Sequence, residues 1–212
     1  ESLRLDTSNV DEHAVAVPSF SYSKENGKTY ITWRTDQVLA EDGVKTVPSI
    51  HGSIFDGTSW SEDTEAMGIF SADAKNFWDG RTLWLAYHDA TTAKLAKCNT
   101  TTLACTEHYS FDETGRFSSI TAVLGKLYFA WGDFDIDPRD CTDDGHCAND
   151  EADASHHIGF AYSSNKGSTW TEATPTTEVN QKNAHITTWD GRTFMLWEDG
   201  VTGGLKMAVS SN

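Results

Sequence analysis

The sequence predicts an all-β chain folded as a four-bladed β-propeller, on three observations. One phrase recurs four times, as GKTYITW from Gly27, GRTLWLAY from Gly80, GKLYFAW from Gly125 and GRTFMLW from Gly191. The copies are spaced by 53, 45 and 66 residues, and a period near that of a propeller blade or solenoid repeat argues against one irregular sheet. Around each phrase lie short runs that alternate apolar and polar residues, the pattern of half-buried strands, with no helical periodicity between them. A five-bladed ring is the alternative if the longest repeat holds a further blade.

Each repeat reads as strands in a fixed order. The first strand is the run before the glycine: AVPSFSYS, GIFSADAKNFW, FSSITAVL and NAHITTW. The glycine admits the positive φ of a tight turn, so the phrase returns as the second strand of a hairpin. A third strand follows at TVPSIHGSIF, KLAKC, HIGFAYS and LKMAVS, and a short fourth at TSWSE, LACTE and STWTE. Four antiparallel strands make a blade. The last repeat reaches Asn212 directly after its third strand, so LRLDTS at residues 3–8 is expected to supply the missing edge and close the ring. Counted across both ends, that blade would span 48 residues, an ordinary period here. Residues 1–212 are thus one propeller domain, with an acidic insertion at about 133–156.

Composition narrows the partners. With 212 residues and 38% hydrophobic content the chain can bury a sizeable core. Sixteen basic against thirty-two acidic residues give a net charge of −16, which repels phosphate backbones and anionic lipid, so neither nucleic acid nor membrane insertion is expected. No apolar run approaches the roughly 20 residues that span a bilayer. The opening ESLRLDTSN lacks the basic and apolar regions of a signal peptide, so a secreted protein would be read here in its mature form. Cys98 and Cys105, then Cys141 and Cys147, form two close pairs without CxxC spacing. They read as two short-loop disulfides and an oxidising, extracellular compartment, with free buried thiols as the alternative. Asn99-Thr100-Thr101 is a glycosylation sequon if the source is eukaryotic.

SSNKGSTW, residues 163–170, links the third and fourth strands of the third repeat. It resembles the Asp-box, or BNR, hairpin S-x-D-x-G-x-T-W of sialidase-like propellers. Ser163, Gly167, Thr169 and Trp170 match, and Asn165 stands where the pattern has Asp. FDGTSW at 55–60 is a shortened version with Gly57 and Trp60. The resemblance implies a structural hairpin at the blade periphery, away from the ligand face: the acidic or amide side chain ties down the turn, Gly takes positive φ, and Trp packs between sheets. It bears on fold and says little about activity.

Propellers usually meet ligands on the face formed by the loops between second and third strands and by those joining blades. The residues at the ends of the second strands are therefore the first candidates: Arg34-Thr35-Asp36, His88-Asp89, Gly132-Asp133 and Glu198-Asp199. The recurring Asp reads as a turn cap. Arg34, His88 and Glu198 differ where the backbone repeats, offering a cation, an imidazole and a carboxylate for acid–base work or for gripping a polar ligand. Chance surface polarity explains them equally well. With Asp89, Asp133 and His185, which is expected on an innermost strand lining the channel, they are the candidate ligand-binding set.

The insertion DFDIDPRDCTDDGHCANDEADASHH sets hard oxygen ligands at alternate positions, and Asp133, Asp135 and Asp137 are the candidates for Ca²⁺. The EF-hand pattern fails at Pro138, and a solvated acidic flap is the plain alternative. His146, His156 and His157, with His88 and His185, show no HxxxH or HxH spacing that would favour a transition metal. Trp33, Trp131 and Trp197, with Tyr87 as their equivalent, end the second strands, and Trp78 and Trp189 precede the hairpin glycines. Such aromatics serve either as sugar platforms or as packing between blades, and their recurrence favours packing.

Three functions fit. The first is a secreted, lectin-like recognition module binding a glycan, with or without calcium. A glycan-acting enzyme, either polysaccharide lyase or glycosidase, would use Arg34, His88 and Glu198; a sialic-acid arginine cluster is not available, because Arg81, Arg116 and Arg192 sit at hairpin starts. A hemopexin-like scaffold for a protein, metal or small molecule fits in size, though the hemopexin repeat text is absent. Fold alone does not choose among them.

Overall fold

β-Branched and aromatic residues alternating with small polar ones favour strands throughout, and strands are what form. The computed structural model describes residues 15–35, 49–68, 74–89, 92–111, 115–133, 157–173, 175 and 181–210. The chain divides into two compact units, Glu1–Phe111 and Asp112–Asn212. The first unit holds β1 (Val15–Ser23), β2 (Lys28–Thr35), β3 (Ser49–Phe55) and β4 (Thr64–Met67) in one sheet. A second sheet in that unit holds β5 (Lys75–Trp78), β6 (Leu83–His88), β7 (Ala93–Cys98) and β8 (Cys105–Ser110). The second unit holds β9 (Gly115–Val123), β10 (Lys126–Asp133), β11 (His157–Ser163) and β12 (Thr171–Ala173) in one sheet and β13 (Gln181–Trp189), β14 (Arg192–Asp199) and β15 (Gly204–Val209) in another. All pairings between sequential strands are antiparallel. These are the four antiparallel sheets of the expected four-bladed β-propeller, two to each unit.

The hairpin glycines do what their positions require. Gly27, Gly80, Gly125 and Gly191 take φ values of 67°, 94°, 77° and 72° at the four first turns, conformations that cost a side-chain-bearing residue most. Asp79 secures its turn by accepting the N–H groups of Arg81 and Thr82 on Oδ1 and the Trp84 indole N–H on Oδ2.

Within each unit the two sheets are joined by a polar seam between their first strands. In the first unit, buried Asn76 on β5 donates its amide to the carbonyls of Ser19 and Tyr30 and to Thr32 Oγ1, while its backbone N–H donates to Ser19 Oγ. In the second, Ser119 Oγ accepts the backbone N–H of Ile186 and donates to the Ile186 carbonyl. Apolar side chains fill the space beside the seams: Tyr30, Ile50, Leu83, Leu85 and Tyr87 in the first unit, and Ala130, Ile158, Ile186, Met195 and Trp197 in the second.

The fourth strands begin later than the sequence suggests. TSWSE is not a strand: Asp56 Oδ1 accepts the N–H groups of Thr58 and Ser59, Gly57 has φ 100°, and Ser61 N–H donates to the Ile54 carbonyl, so this segment is a tied turn and β4 starts at Thr64. In the other two sheets the strands start at Cys105 and Thr171, inside the expected runs. Cys98 and Cys105 form the expected disulfide across the β7–β8 turn, where Leu103 takes φ 62° and is buried. Cys141, Cys147 and the proposed closing strand at residues 3–8 lie outside the described residues, and the described part of the last sheet has three strands.

Between β11 and β12, Asn165 Oδ1 accepts the Thr169 N–H and the Ser163 hydroxyl, Asn165 Nδ2 donates to Thr169 Oγ1, and Ser163 Oγ accepts the Gly167 N–H. Lys166 and Gly167 both have positive φ, 61° and 79°, and the Trp170 ring meets Phe129 edge-on at 6.4 Å. An amide can thus fill the acidic position of this turn, because it both accepts and donates.

Candidate functional site

The aromatic residues one or two positions before the ends of the second strands are core residues. Trp33, Tyr87, Trp131 and Trp197 are all buried, so none offers an open sugar platform. Register places one third-strand residue opposite each: His51 opposite Trp33, Lys94 opposite Tyr87, Gly159 opposite Trp131 and Lys206 opposite Trp197. Opposed residues share a face of the sheet, and the three basic ones each meet a carboxylate. His51 Nδ1 lies 2.9 Å from Asp63, Lys94 Nζ 2.7 Å from Asp89 and 2.9 Å from Glu107, and Lys206 Nζ 3.1 Å from Asp199. At Gly159 the Trp131 ring fills the space a side chain would need. The sequence reading missed this position. Its signal was a fixed register from each repeated phrase, which appears only once the loops between second and third strands, of unequal length, are set aside.

The recurring aspartates anchor turns. Asp89 Oδ1 accepts the Thr92 N–H. Asp199 accepts the Val201 N–H and the Thr202 hydroxyl, and the Lys206 ammonium, followed by these two donors, holds its carboxyl down at about 2. Hydrogen bonding to Asp89 raises the Lys94 ammonium above its ordinary value, against the effect of burial. Burial, then the nearby Glu107 carboxylate, raises the Tyr87 phenol, whose hydroxyl donates to Glu107 Oε2 at 3.3 Å.

In the first unit Arg34 is half-buried at the end of β2, with Ile50 opposite. His88 ends β6 and is turned inward, with Nδ1 donating to the Asp89 carbonyl at 2.8 Å. In the second unit Asp133 ends β10, in register with His157 and Gly115. Asp135 and Asp137 lie outside the described residues, and with them most of the expected calcium site; among the described residues no three His, Cys, Asp or Glu side chains group as a metal site.

The structure does bring His185 and Glu198 onto one surface. On β13 the side chains of His185, Thr187 and Trp189 are exposed, alternating with buried Ala184 and Ile186. His185 lies opposite Leu196, and Glu198, two residues further along β14, shares that face. Glu198 Oε2 accepts the side-chain amide of Asn183, which has φ 56° beside the bulge between Lys182 and His185. β15 completes the face with Leu205, Met207 and Val209, all exposed. The Trp189 indole is 74% exposed, whereas its counterpart Trp78 is half-buried and donates to Glu25 Oε2 at 2.9 Å. Within its unit one side of this sheet is therefore core, and the other side carries an indole, an imidazole, a hydroxyl and a carboxylate.

No family model and no curated protein matches the chain. Solved structures match in fold. The chain is similar to an exo-β-1,3-galactanase from Phanerochaete chrysosporium solved with β-1,3-galactotriose: TM-score 0.58, 11% identity, over 93% of this chain and 46% of that one. NanB sialidase from Streptococcus pneumoniae gives TM-score 0.60 at 9% identity over 93% and 46%. The α-L-arabinanase of Cellvibrio cellulosa, complexed with arabinohexaose, gives 0.55 at 12% identity over 92% and 72%. The chain thus spans about half the length of the first two. No helix among the described residues is long and apolar enough to cross a membrane.

Proposed function

We propose that the chain is a secreted, lectin-like recognition module that binds a neutral glycan on the open face of the β13–β14–β15 sheet. The observation that carries this reading is the exposed row of His185, Thr187 and Trp189, with Glu198 on the same face. A pyranose presents an apolar face that an indole can cover and hydroxyls that imidazole, hydroxyl and carboxylate groups can bind. The net charge of −16 selects against acidic saccharides. The similarity to proteins solved with galactotriose and arabinohexaose supports a carbohydrate ligand. The exposed Leu205, Met207 and Val209 favour a second reading, in which the same face docks a protein.

A glycan array probed with the purified protein, with and without EDTA, tests the proposal. Binding to neutral oligosaccharides supports it, and loss of that binding in EDTA would add calcium from the acidic insertion. Silence in both conditions would contradict it.

A further inference from the structure

The ion pair at His51 differs in kind from those at Lys94 and Lys206. His51 Nδ1 lies 2.9 Å from Asp63 Oδ1, and its Nε2 lies 2.9 Å from Ser49 Oγ. In the neutral imidazole, a carboxylate that only accepts places the proton on Nδ1 and leaves Nε2 as an acceptor for the Ser49 hydroxyl. The order is carboxylate, imidazole, hydroxyl, the arrangement in which an imidazole removes a serine proton during acyl transfer. Ser49 and His51 sit two apart on β3 and so share a face. A bulge between Ile50 and His51 in the β3–β4 pairing shifts the register at that point, a distortion often used to re-aim a side chain. The Trp33 ring, 6.4 Å from the imidazole, walls one side. His51 and Asp63 are 22% and 23% exposed, which leaves them half-sheltered yet within reach of a small molecule. An ammonium at this register, as in Lys94, satisfies a carboxylate but cannot act as a base while charged, so the pairing alone does not require an imidazole linked to a hydroxyl.

We propose that Ser49, His51 and Asp63 form a nucleophilic centre that hydrolyses small carboxylic esters. Ser49 Oγ bonds to the ester carbonyl carbon while its proton passes to His51 Nε2. The carbon–alkoxy bond then breaks, and the departing alcohol takes that proton. Water adds to the acyl-serine with His51 again accepting a proton, and the carboxylic acid leaves as Ser49 regains its hydrogen. Asp63 is a positioning residue, holding the imidazole in the tautomer that presents Nε2 to Ser49. These residues belong to a different sheet from the proposed glycan face and share no side chain with it, so either proposal can fail alone.

The test uses p-nitrophenyl acetate hydrolysis together with labelling by a fluorophosphonate, the modified residue being located by peptide mass spectrometry. The intact chain should release nitrophenol and carry the label on Ser49. Ser49→Ala should lose both. Asp63→Asn should slow hydrolysis by about 10²–10⁴-fold, and Asp63→Glu should recover part of the rate, which a merely structural carboxylate would not require. Hydrolysis that survives in Ser49→Ala, or label spread evenly over Ser49 and exposed Ser61, would overturn the proposal. So would an intact chain that shows neither hydrolysis nor label.

Discussion

Ser19 and Ser119 occupy the same position in the two units, and each hydroxyl accepts a backbone N–H from the first strand of the neighbouring sheet: that of Asn76 at 3.1 Å and that of Ile186 at 3.3 Å. Ser19 lies opposite Thr32 and Ser119 opposite Ala130, each directly before the buried Trp of the second strand. A buried first strand needs its N–H groups paired on the side away from its own sheet's ladder. The serine meets that need without a bulky side chain in the seam.

Asn76 should be the most sensitive polar residue of the first unit. Asn76→Ala removes the two amide hydrogens shared among the Ser19 carbonyl, the Tyr30 carbonyl and Thr32 Oγ1. Urea unfolding should show a loss of about 1–3 kcal/mol. Ser119→Ala, which removes one shared hydroxyl, should cost less, about 1 kcal/mol.

Gly159 is fixed by its neighbour. A Cβ there would stand 1.9 Å from Trp131 Cε2 and 2.1 Å from Nε1, and Trp131 is fully buried. Gly159→Ala should lower stability by about 1–3 kcal/mol through overpacking, read as a lower thermal midpoint, although glycine-to-alanine changes in strands are otherwise mild or favourable.

The 163–170 hairpin should accept an acid in place of its amide. In Asn165→Asp the carboxylate still accepts the Thr169 N–H, and the Thr169 hydroxyl can turn to donate, so stability should change by less than about 0.5 kcal/mol. Asn165→Ala leaves the turn without that acceptor and should cost about 1 kcal/mol. Thermal melts of the two variants side by side separate the outcomes.

Asp199 sets an acid limit for the last sheet. Its folded carboxyl is held at about 2, below the value of about 4 for a free aspartate. Its contribution is therefore complete above about pH 4 and is lost as pH falls toward 2. Asp199→Asn should remove that part of the acid dependence, measured as a smaller drop in thermal midpoint between pH 5 and pH 2.5 than the unaltered chain shows.

How far these features could be read from residues alone differs with the range of the interaction. The hairpins were legible because Gly27, Gly80, Gly125 and Gly191 are local signals, each fixing a turn and the strands beside it. The first sheet's fourth strand was misread because TSWSE alternates like a strand, yet Asp56 captures its backbone N–H groups before a ladder can form. The burial of His88 was not legible, since a polar residue at a strand end looks exposed in sequence whichever way it turns. The open face of the last sheet was legible only in part. His185 and Glu198 were singled out, but Trp189 looked like Trp78, which differs in donating to Glu25 and in packing beside Tyr30 against the first unit's core. The Ser49–His51–Asp63 chain depends on a bulge and on a turn that brings Asp63 back 12 residues later, neither of which has a sequence signature.

The most direct test is calorimetric titration of a neutral oligosaccharide selected from the array into the intact chain and into Trp189→Ala. Trp189 is 74% exposed, so the variant should fold unchanged. If the open face binds sugar by stacking on the indole, the titration should show saturable binding that weakens at least tenfold in Trp189→Ala, with the melting curve unmoved. Equal affinity in the two proteins would contradict a carbohydrate site on this sheet.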